Sequence, residues 1–167
     1  TTSESNLKII TSLSIIEDWV SNVVEANIEV SSIVSGLENP HTYDPTPSEI
    51  LDAAEADLFI RFGLEDLEPW VESLLDSQPG LIDRTLTLNV EDYWEYDNVI
   101  GANNPHVWMS PMIAKNMTQK IYEGIISLDP SNNDSYHSNL NSYHTSLSTL
   151  LEKIDQQKQS FSGLKVV

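Results

Sequence analysis

The chain has 167 residues, 40% of them hydrophobic and 8% aromatic, which suffices for one domain with a real core and part of a second but is cramped for two. Lys plus Arg number 8 against 26 Asp plus Glu, a formal net charge of -18 that repels phosphate backbones and anionic headgroups and argues against nucleic acid as a partner. With no cysteine there is neither a disulfide framework nor a thiolate metal site, so any transition metal must be held by imidazole and carboxylate.

Thr1 to Asn6 is polar and lacks a signal-peptide core, so in an exported protein the targeting segment would already be gone. Lys8 to Ser12 reads as a short buried strand, and Ser14 to Glu25 as a helix with Ile15, Ile16, Trp19, Val20, Val23 and Val24 on one face. Glu29 to Val34 repeats the strand signal and runs into a loop rich in Gly, Asn and Pro. Thr46-Pro47-Ser48-Glu49 opens a second helix, expected over Pro47 to Ala56. Leu58 to Phe62 reads as a third strand closed by Gly63, followed by a helix over Leu67 to Ser77, and Leu86 to Val90 as a fourth strand. Strands alternating with helices predict an α/β fold, a four-stranded parallel sheet covered on both faces.

After an acidic and aromatic stretch, Glu91 to Asp97, an amphipathic helix is expected from Pro111 to Leu128, ended by Asp129-Pro130-Ser131. Tyr136, Leu140, Tyr143, Leu147, Leu150, Leu151 and Ile154 then recur at three- and four-residue spacing. They predict a helix of about 28 residues, roughly 42 Å long, extending toward Phe161. Gly163 to Val167 resembles the opening of a strand with no room to finish, as if a larger protein had been cut there. No run of about twenty apolar residues exists to span a membrane. The acidic residues are spread along the chain, the pattern of a solvated surface that also draws cations.

Two histidines sit in matched phrases, Asn39-Pro40-His41-Thr42-Tyr43-Asp44-Pro45 and Asn104-Pro105-His106-Val107-Trp108-Met109-Ser110-Pro111. Proline before each histidine restricts the local backbone, so each imidazole is presented from a stiff turn. Both phrases follow strands, and in an open parallel sheet ligands gather outside the carboxyl ends of strands. His41 and His106, 65 residues apart in sequence, are therefore expected to meet in space and to supply two nitrogens of a zinc or manganese site. Tyr43, Asp44, Asn104 and Ser110 are candidates for fixing the imidazoles rather than for touching the ion. The competing reading is that these histidines merely fill turns. His137 and His144 lie on one predicted helix with about 10.5 Å of rise between them, too far to share an ion, and are expected to be surface or groove residues. The four tryptophans are expected to pack rather than to form a ligand cage.

Catalysis has no motif to rest on: there is no His-Glu-x-x-His, no Gly-x-Ser-x-Gly and no glycine-rich phosphate loop. Glu38 and Asp44 flank His41, but their spacing does not distinguish a general base from an ordinary loop carboxylate.

These phrases, together with Ala56-Asp57-Leu58, Phe62-Gly63-Leu64-Glu65-Asp66-Leu67-Glu68-Pro69-Trp70 and Asp129-Pro130 followed by Tyr136, Asn139 and Tyr143, resemble the substrate-binding proteins of zinc and manganese ABC importers, a family that includes lipoproteins once described as adhesins. The resemblance covers nearly the whole chain. It implies two α/β lobes joined by a long rigid helix, with metal held between them by two residues from each lobe. On that pattern residues 1–129 are the N-terminal metal-binding lobe, 130–162 the interlobe helix and 163–167 the start of the first strand of a C-terminal lobe. His41 and His106 are then the first lobe's ligands, and the other two lie beyond this chain. The implied protein is extracytoplasmic, anchored to the membrane in its precursor, not an enzyme, and hands its ion to a membrane permease. Two departures stand out: Asn104 replaces the aspartate many members carry, and the stretch from Glu91 to Asn103 has no histidine, which leaves zinc and manganese both open. Two other readings remain: a surface adhesion or interaction protein with structural histidines, and a fragment that completes its coordination shell by dimerising through the exposed helix.

Overall fold

The β-branched and aromatic run around Ile9, Ile10, Phe59 and Ile60 builds the centre of a four-stranded sheet, which a computed structural model describes together with its helices over residues 6–93 and 105–160. The strands are β1 (Lys8–Leu13), β2 (Glu29–Val34), β3 (Leu58–Arg61) and β4 (Thr85–Thr87), all parallel in the order β2-β1-β3-β4. In register, Ile10 lies beside Ser31 on one side and Phe59 on the other, and Ile60 beside Leu86. The chain leaves β1 to one side for β2 and returns on the other for β3. The reversal opens a crevice at the carboxyl end of β1, where loops part in opposite directions.

The helices are α1 (Ser14–Ser21), α2 (Pro47–Ala54), α3 (Trp70–Ser77), α4 (Pro79–Ile82), α5 (Pro111–Leu128) and α6 (Asn133–Ser160). Core side chains come from every layer: Ile16, Trp19 and Val20 of α1, Val71 and Leu74 of α3, Ile113, Met117 and Ile121 of α5, all nearly or fully buried. The Thr46 side chain and Glu49 cap α2 reciprocally, as the Thr-Pro-Ser-Glu signature predicts. The bounds of α5 and the 28-residue length of α6 agree with the periodicity.

Several ends differ from the sequence expectation. Helix α1 stops at Ser21, and Asn22 closes it by donating through both its backbone and side-chain nitrogens to the Asp18 carbonyl; Val23 and Val24 remain buried, but from a turn. Helix α3 begins at Trp70 because Leu64–Leu67 forms a separate turn closed onto the Leu64 carbonyl. Strand β4 ends at Thr87, since Asn89 takes a left-handed φ of 55° and sends the chain into a 3-10 turn at Val90–Tyr93. The short α4 was hidden by Pro79-Gly80, a pair that reads as a break. Trp94, Asn104 and the expected strand at 163–167 lie outside the described residues.

Helix α6 lies along α5. Tyr136, Leu140, Tyr143 and Leu147 carry its contact with the core, and the Asn139 amide donates to the carbonyls of Val23 and Val24. The corner between the two helices is held by Asp129, only 6% exposed. Its carboxylate accepts hydrogen bonds from the Tyr136 hydroxyl at 2.7 Å, the Asn132 amide at 2.8 Å and the Ser131 hydroxyl at 2.7 Å. Among the described residues no helix is long and apolar enough to cross a membrane.

Candidate metal centre

His41 sits in a 3-10 turn, Pro40–Thr42, just past β2. Proline supplies the first position of this turn, and the Asn39 side chain caps it by accepting from the His41 backbone amide at 3.1 Å. The turn reaches over the end of β1 to the loop that follows β3, where His41 Nδ1 lies 2.5 Å from the Asp66 carbonyl oxygen. A carbonyl can only accept, so Nδ1 carries the proton and Nε2 keeps its lone pair in the neutral ring. That division of roles is the usual one in a histidine prepared to bind a metal: one nitrogen is held by a backbone carbonyl and the other is left for the ion.

His106 precedes a second 3-10 turn, Val107–Met109, which leads into α5. A series of rings connects it to the core. Trp19 meets Phe62 edge to face at 5.8 Å between ring centres, Phe62 stacks on Trp108 at 5.0 Å, and Trp108 meets His106 edge to face at 5.0 Å. Trp19 and Phe62 are buried, so the series begins in the core and ends at an exposed imidazole.

The ring centres of His41 and His106 are 6.0 Å apart, with the planes inclined at 59°. An ion about 2.0–2.1 Å from an imidazole nitrogen lies roughly 3.2 Å from that ring's centre, so two imidazoles sharing one ion stand about 5–6 Å apart. The observed ring-centre spacing lies at the upper end of this range. Both side chains are exposed, and Glu65 and Asp66 are exposed on the turn that touches His41. Beside the pair lies a cavity of about 280 Å³ whose walls include Leu13, Val34, Pro40 and Trp108, at the carboxyl ends of β1 and β2. Among the described residues, no group of three or more His, Asp or Glu side chains gathers to hold an ion. What the described residues bring together here is a pair of imidazoles, His41 and His106.

The other candidates fall in different places. The Tyr43 hydroxyl donates to Glu49 at 2.8 Å and its ring meets Trp70 edge to face at 5.9 Å. Burial, with Glu49 beside it, pushes the Tyr43 phenol up to about 12. Burial also acts to raise Glu49, but hydrogen bonds from Thr46 and Tyr43 outweigh it and leave that carboxyl below its usual value. Tyr43 thus fastens the His41 loop to the start of α2. Asp44 is exposed, and Ser110 is buried at the N-cap position of α5, where its side chain makes no capping bond. Glu38 accepts from the Ser35 hydroxyl at 2.8 Å. Away from the site, the His144 Nε2 lies 2.9 Å from the Thr118 hydroxyl in the α5–α6 interface, and burial lowers its pKa. His137 packs its ring against Tyr122 at 5.9 Å.

Two contributors were not singled out in the sequence. One is the Asp66 carbonyl, invisible because every residue has a carbonyl. The other is Glu68, 2% exposed, whose Oε1 accepts from the Gly63 amide at 2.8 Å. Burial raises the Glu68 carboxyl to about 7, while the Ser12 hydroxyl, the Gly63 amide and the Arg61 guanidinium restrain the rise. Its folded pKa lies above the unfolded value of about 4.3, so its stabilising contribution is complete at low pH and is lost as pH climbs toward 7. Denaturation of Glu68→Gln as a function of pH should therefore show a shallower loss of stability than the wild type between about pH 4.5 and 7, and greater stability than the wild type at pH 8. Parallel curves for the two proteins would show that this carboxyl is not the titrating group.

The sequence and the fold have counterparts among known proteins. The profile of the family described as zinc-uptake complex component A, periplasmic, matches residues 9–167. The manganese ABC transporter substrate-binding lipoprotein PsaA of Streptococcus pneumoniae is 30% identical over 171 aligned residues, covering 97% of this chain and 54% of PsaA. The iron-binding protein YfeA of Yersinia pestis is 29% identical over 144 residues, covering 86% of this chain and 46% of YfeA. Among solved structures, the periplasmic zinc-binding protein TroA of Treponema pallidum shares the fold with a TM-score of 0.78 at 20% identity, over 93% of this chain and 56% of TroA. The chain spans about half the length of the curated relatives it matches. The matching phrases and the parallel sheet agree with a profile match over nearly the whole sequence, and the chain belongs to the ZnuA family, zinc-uptake complex component A.

Proposed function

We propose that this chain is the N-terminal lobe and spanning helix of an extracytoplasmic binding protein that captures a divalent transition metal, Zn²⁺ or Mn²⁺, and delivers it to the membrane permease of an ABC importer. The observation that carries the reading is the pair of exposed imidazoles 6.0 Å apart at the carboxyl end of a parallel sheet. His41 and His106 contribute two nitrogens, His41 through Nε2, and the remaining ligands come from a second lobe outside this chain. Residues 1–129 form the first lobe and 130–162 the connecting helix. The ion is cargo: it is bound and released, and no bond in a substrate is made or broken. Family membership and the lipoprotein and periplasmic descriptions of relatives support a place outside the cytoplasm.

Relatives described as binding manganese, iron and zinc share this half of the protein, so the metal preference is assigned to the ligands the second lobe adds. The test is titration calorimetry with Zn²⁺, Mn²⁺ and Fe²⁺ on this 167-residue chain and on a version extended to the full length of its relatives. The extended protein should bind one ion tightly and preferentially, and the shorter chain weakly with little preference. Equal, selective binding by both would overturn the division of ligands between lobes, and no binding by either would overturn the metal-capture reading.

A further inference from the structure

We infer that Glu68 is a positioning residue for His41, acting through the turn between them. A carboxyl 2% exposed is costly to bury, and its second oxygen, Oε2, is sealed from solvent together with the Ser12 hydroxyl. What Glu68 does there is close a turn. Gly63 opens the segment at φ +79°, a conformation that needs glycine, and a Cβ at that position would lie 2.2 Å from Thr87 Cγ2. The backbone amides of Leu67 and Glu68 donate to the Leu64 carbonyl at 3.0 and 3.1 Å. The Glu68 side chain then returns to the amide of Gly63 at 2.8 Å. Residues 63–68 thus form a closed loop, its last side chain tied to its first amide.

At the exposed crest of this loop is Asp66, whose carbonyl accepts the hydrogen bond from His41 Nδ1–H. The acceptor that fixes the imidazole is therefore a backbone atom, and a backbone atom is positioned only by what fixes its loop. Three features fix this one: the Leu67 and Glu68 amides bonded to the Leu64 carbonyl, the buried Leu67 side chain, which sets the depth of the turn, and the Glu68–Gly63 bond, which ties its last residue to its first. The Leu67 side chain contributes burial alone. Glu68 contributes an acceptor at a defined reach, and its removal opens the loop, turns the Asp66 carbonyl away and frees the His41 ring to exchange tautomers. Arg61 braces the same region by donating from Nε to Thr87 at 3.2 Å and from Nη1 to Glu72 at 2.5 Å.

The inference rests on the metal-capture reading only for what the orientation serves, so the experiment has one readout that needs no metal. In the full chain, two-bond proton–nitrogen correlations of the His41 imidazole distinguish the Nδ1–H from the Nε2–H tautomer at a pH where the ring is neutral. Three substitutions separate reach from packing. Glu68→Gln keeps an acceptor at the same distance, Glu68→Met keeps length and burial without an acceptor, and Glu68→Asp keeps the carboxyl but falls short of Gly63. The wild type and Glu68→Gln should show the Nδ1–H form. In Glu68→Met and Glu68→Asp that form should give way to a majority of Nε2–H while circular dichroism remains native.

Zn²⁺ affinity of the extended protein should fall about 10- to 100-fold in Glu68→Met and Glu68→Asp, the usual cost of losing a group that orients a metal ligand, and be unchanged in Glu68→Gln. Retention of Nδ1–H in either shortened or apolar variant that folds would overturn the inference, because the turn would then hold His41 without Glu68. A tautomer change without any Zn²⁺ binding in the wild type would uphold the positioning role and overturn the metal-capture reading instead.

Discussion

Replacing His41 and His106 together by alanine is expected to abolish tight Zn²⁺ or Mn²⁺ binding by the two-lobe protein while leaving the fold in place. Both side chains are exposed, and neither belongs to the hydrophobic core. Surface substitutions of this kind shift stability by about 0.5 kcal/mol or less, so thermal denaturation of the metal-free protein should hardly change. Binding should respond far more. Loss of a group that merely orients a ligand already costs about 10- to 100-fold in affinity, and loss of two direct nitrogen donors must exceed the upper end of that range. Competition against a chelator measures the difference, and each single variant should fall between wild type and double variant. The double variant should also lose metal-induced thermal stabilisation, which follows occupancy of the native state. Undiminished binding would show that the ion sits elsewhere and that the imidazole pair only fills turns.

The largest loss of stability is expected from Asp129→Ala. The Asp129 carboxylate takes three hydrogen bonds in a corner where Tyr136 is fully buried and Asn132 is 4% exposed. Alanine leaves the Tyr136 hydroxyl without this acceptor in a site closed to water and removes one acceptor from the Asn132 amide. A buried polar group deprived of its partner costs about 1–3 kcal/mol, and a charged acceptor raises what each bond contributes, so a total of roughly 3–5 kcal/mol is expected. For a chain of this size that corresponds to a fall in Tm on the order of 10 °C. Tyr136→Phe removes a donor rather than the shared acceptor and should cost about 1–2 kcal/mol. Chemical denaturation of the two variants separates the cases: equal, small losses would mean that the corner is held by helix packing and not by the carboxylate. Burial, reinforced by the neighbouring Asp129 charge, also holds the Tyr136 phenol far above its usual pKa, so the hydroxyl remains a donor in the native protein at any ordinary pH.

What could be read in advance depended on whether the deciding interaction was periodic. The sheet and its helices were legible because Ile9, Ile10, Phe59 and Ile60 form short buried runs, and because Tyr136, Leu140, Tyr143 and Leu147 repeat at helical spacing. The proline-led histidines were legible because proline constrains the backbone around it whatever the tertiary setting. Helix and strand ends were less so. Asn89 at positive φ and the separate turn at Leu64–Leu67 depend on neighbours distant in sequence, which shortened β4 and delayed α3. Asp129 shows the same limit: Asp-Pro announced the end of a helix, but nothing local said that its carboxylate would be buried beneath Tyr136. At the site, residue types identified the two imidazoles, while the groups around them were assigned by proximity in sequence. Tyr43 and Asp44 neighbour His41 along the chain, yet the atom that holds its ring belongs to Asp66, 25 residues away. Backbone acceptors have no residue signature, so only the folded loop discloses them.

The ring series from Trp19 through Phe62 and Trp108 to His106 also gives the protein an optical property. Trp108 is partly exposed and its ring centre is 5.0 Å from that of His106, whereas Trp19 and Trp70 are enclosed by the core. An excited indole at that range is sensitive to the charge on the imidazole and to any ion bound there. Closed-shell Zn²⁺ and paramagnetic Mn²⁺ perturb such emission differently, the first through its field and the second also through its unpaired electrons. The stacking that steadies His106 thus makes Trp108 an intrinsic fluorophore at the site, able to report both occupancy and the kind of ion without an attached dye.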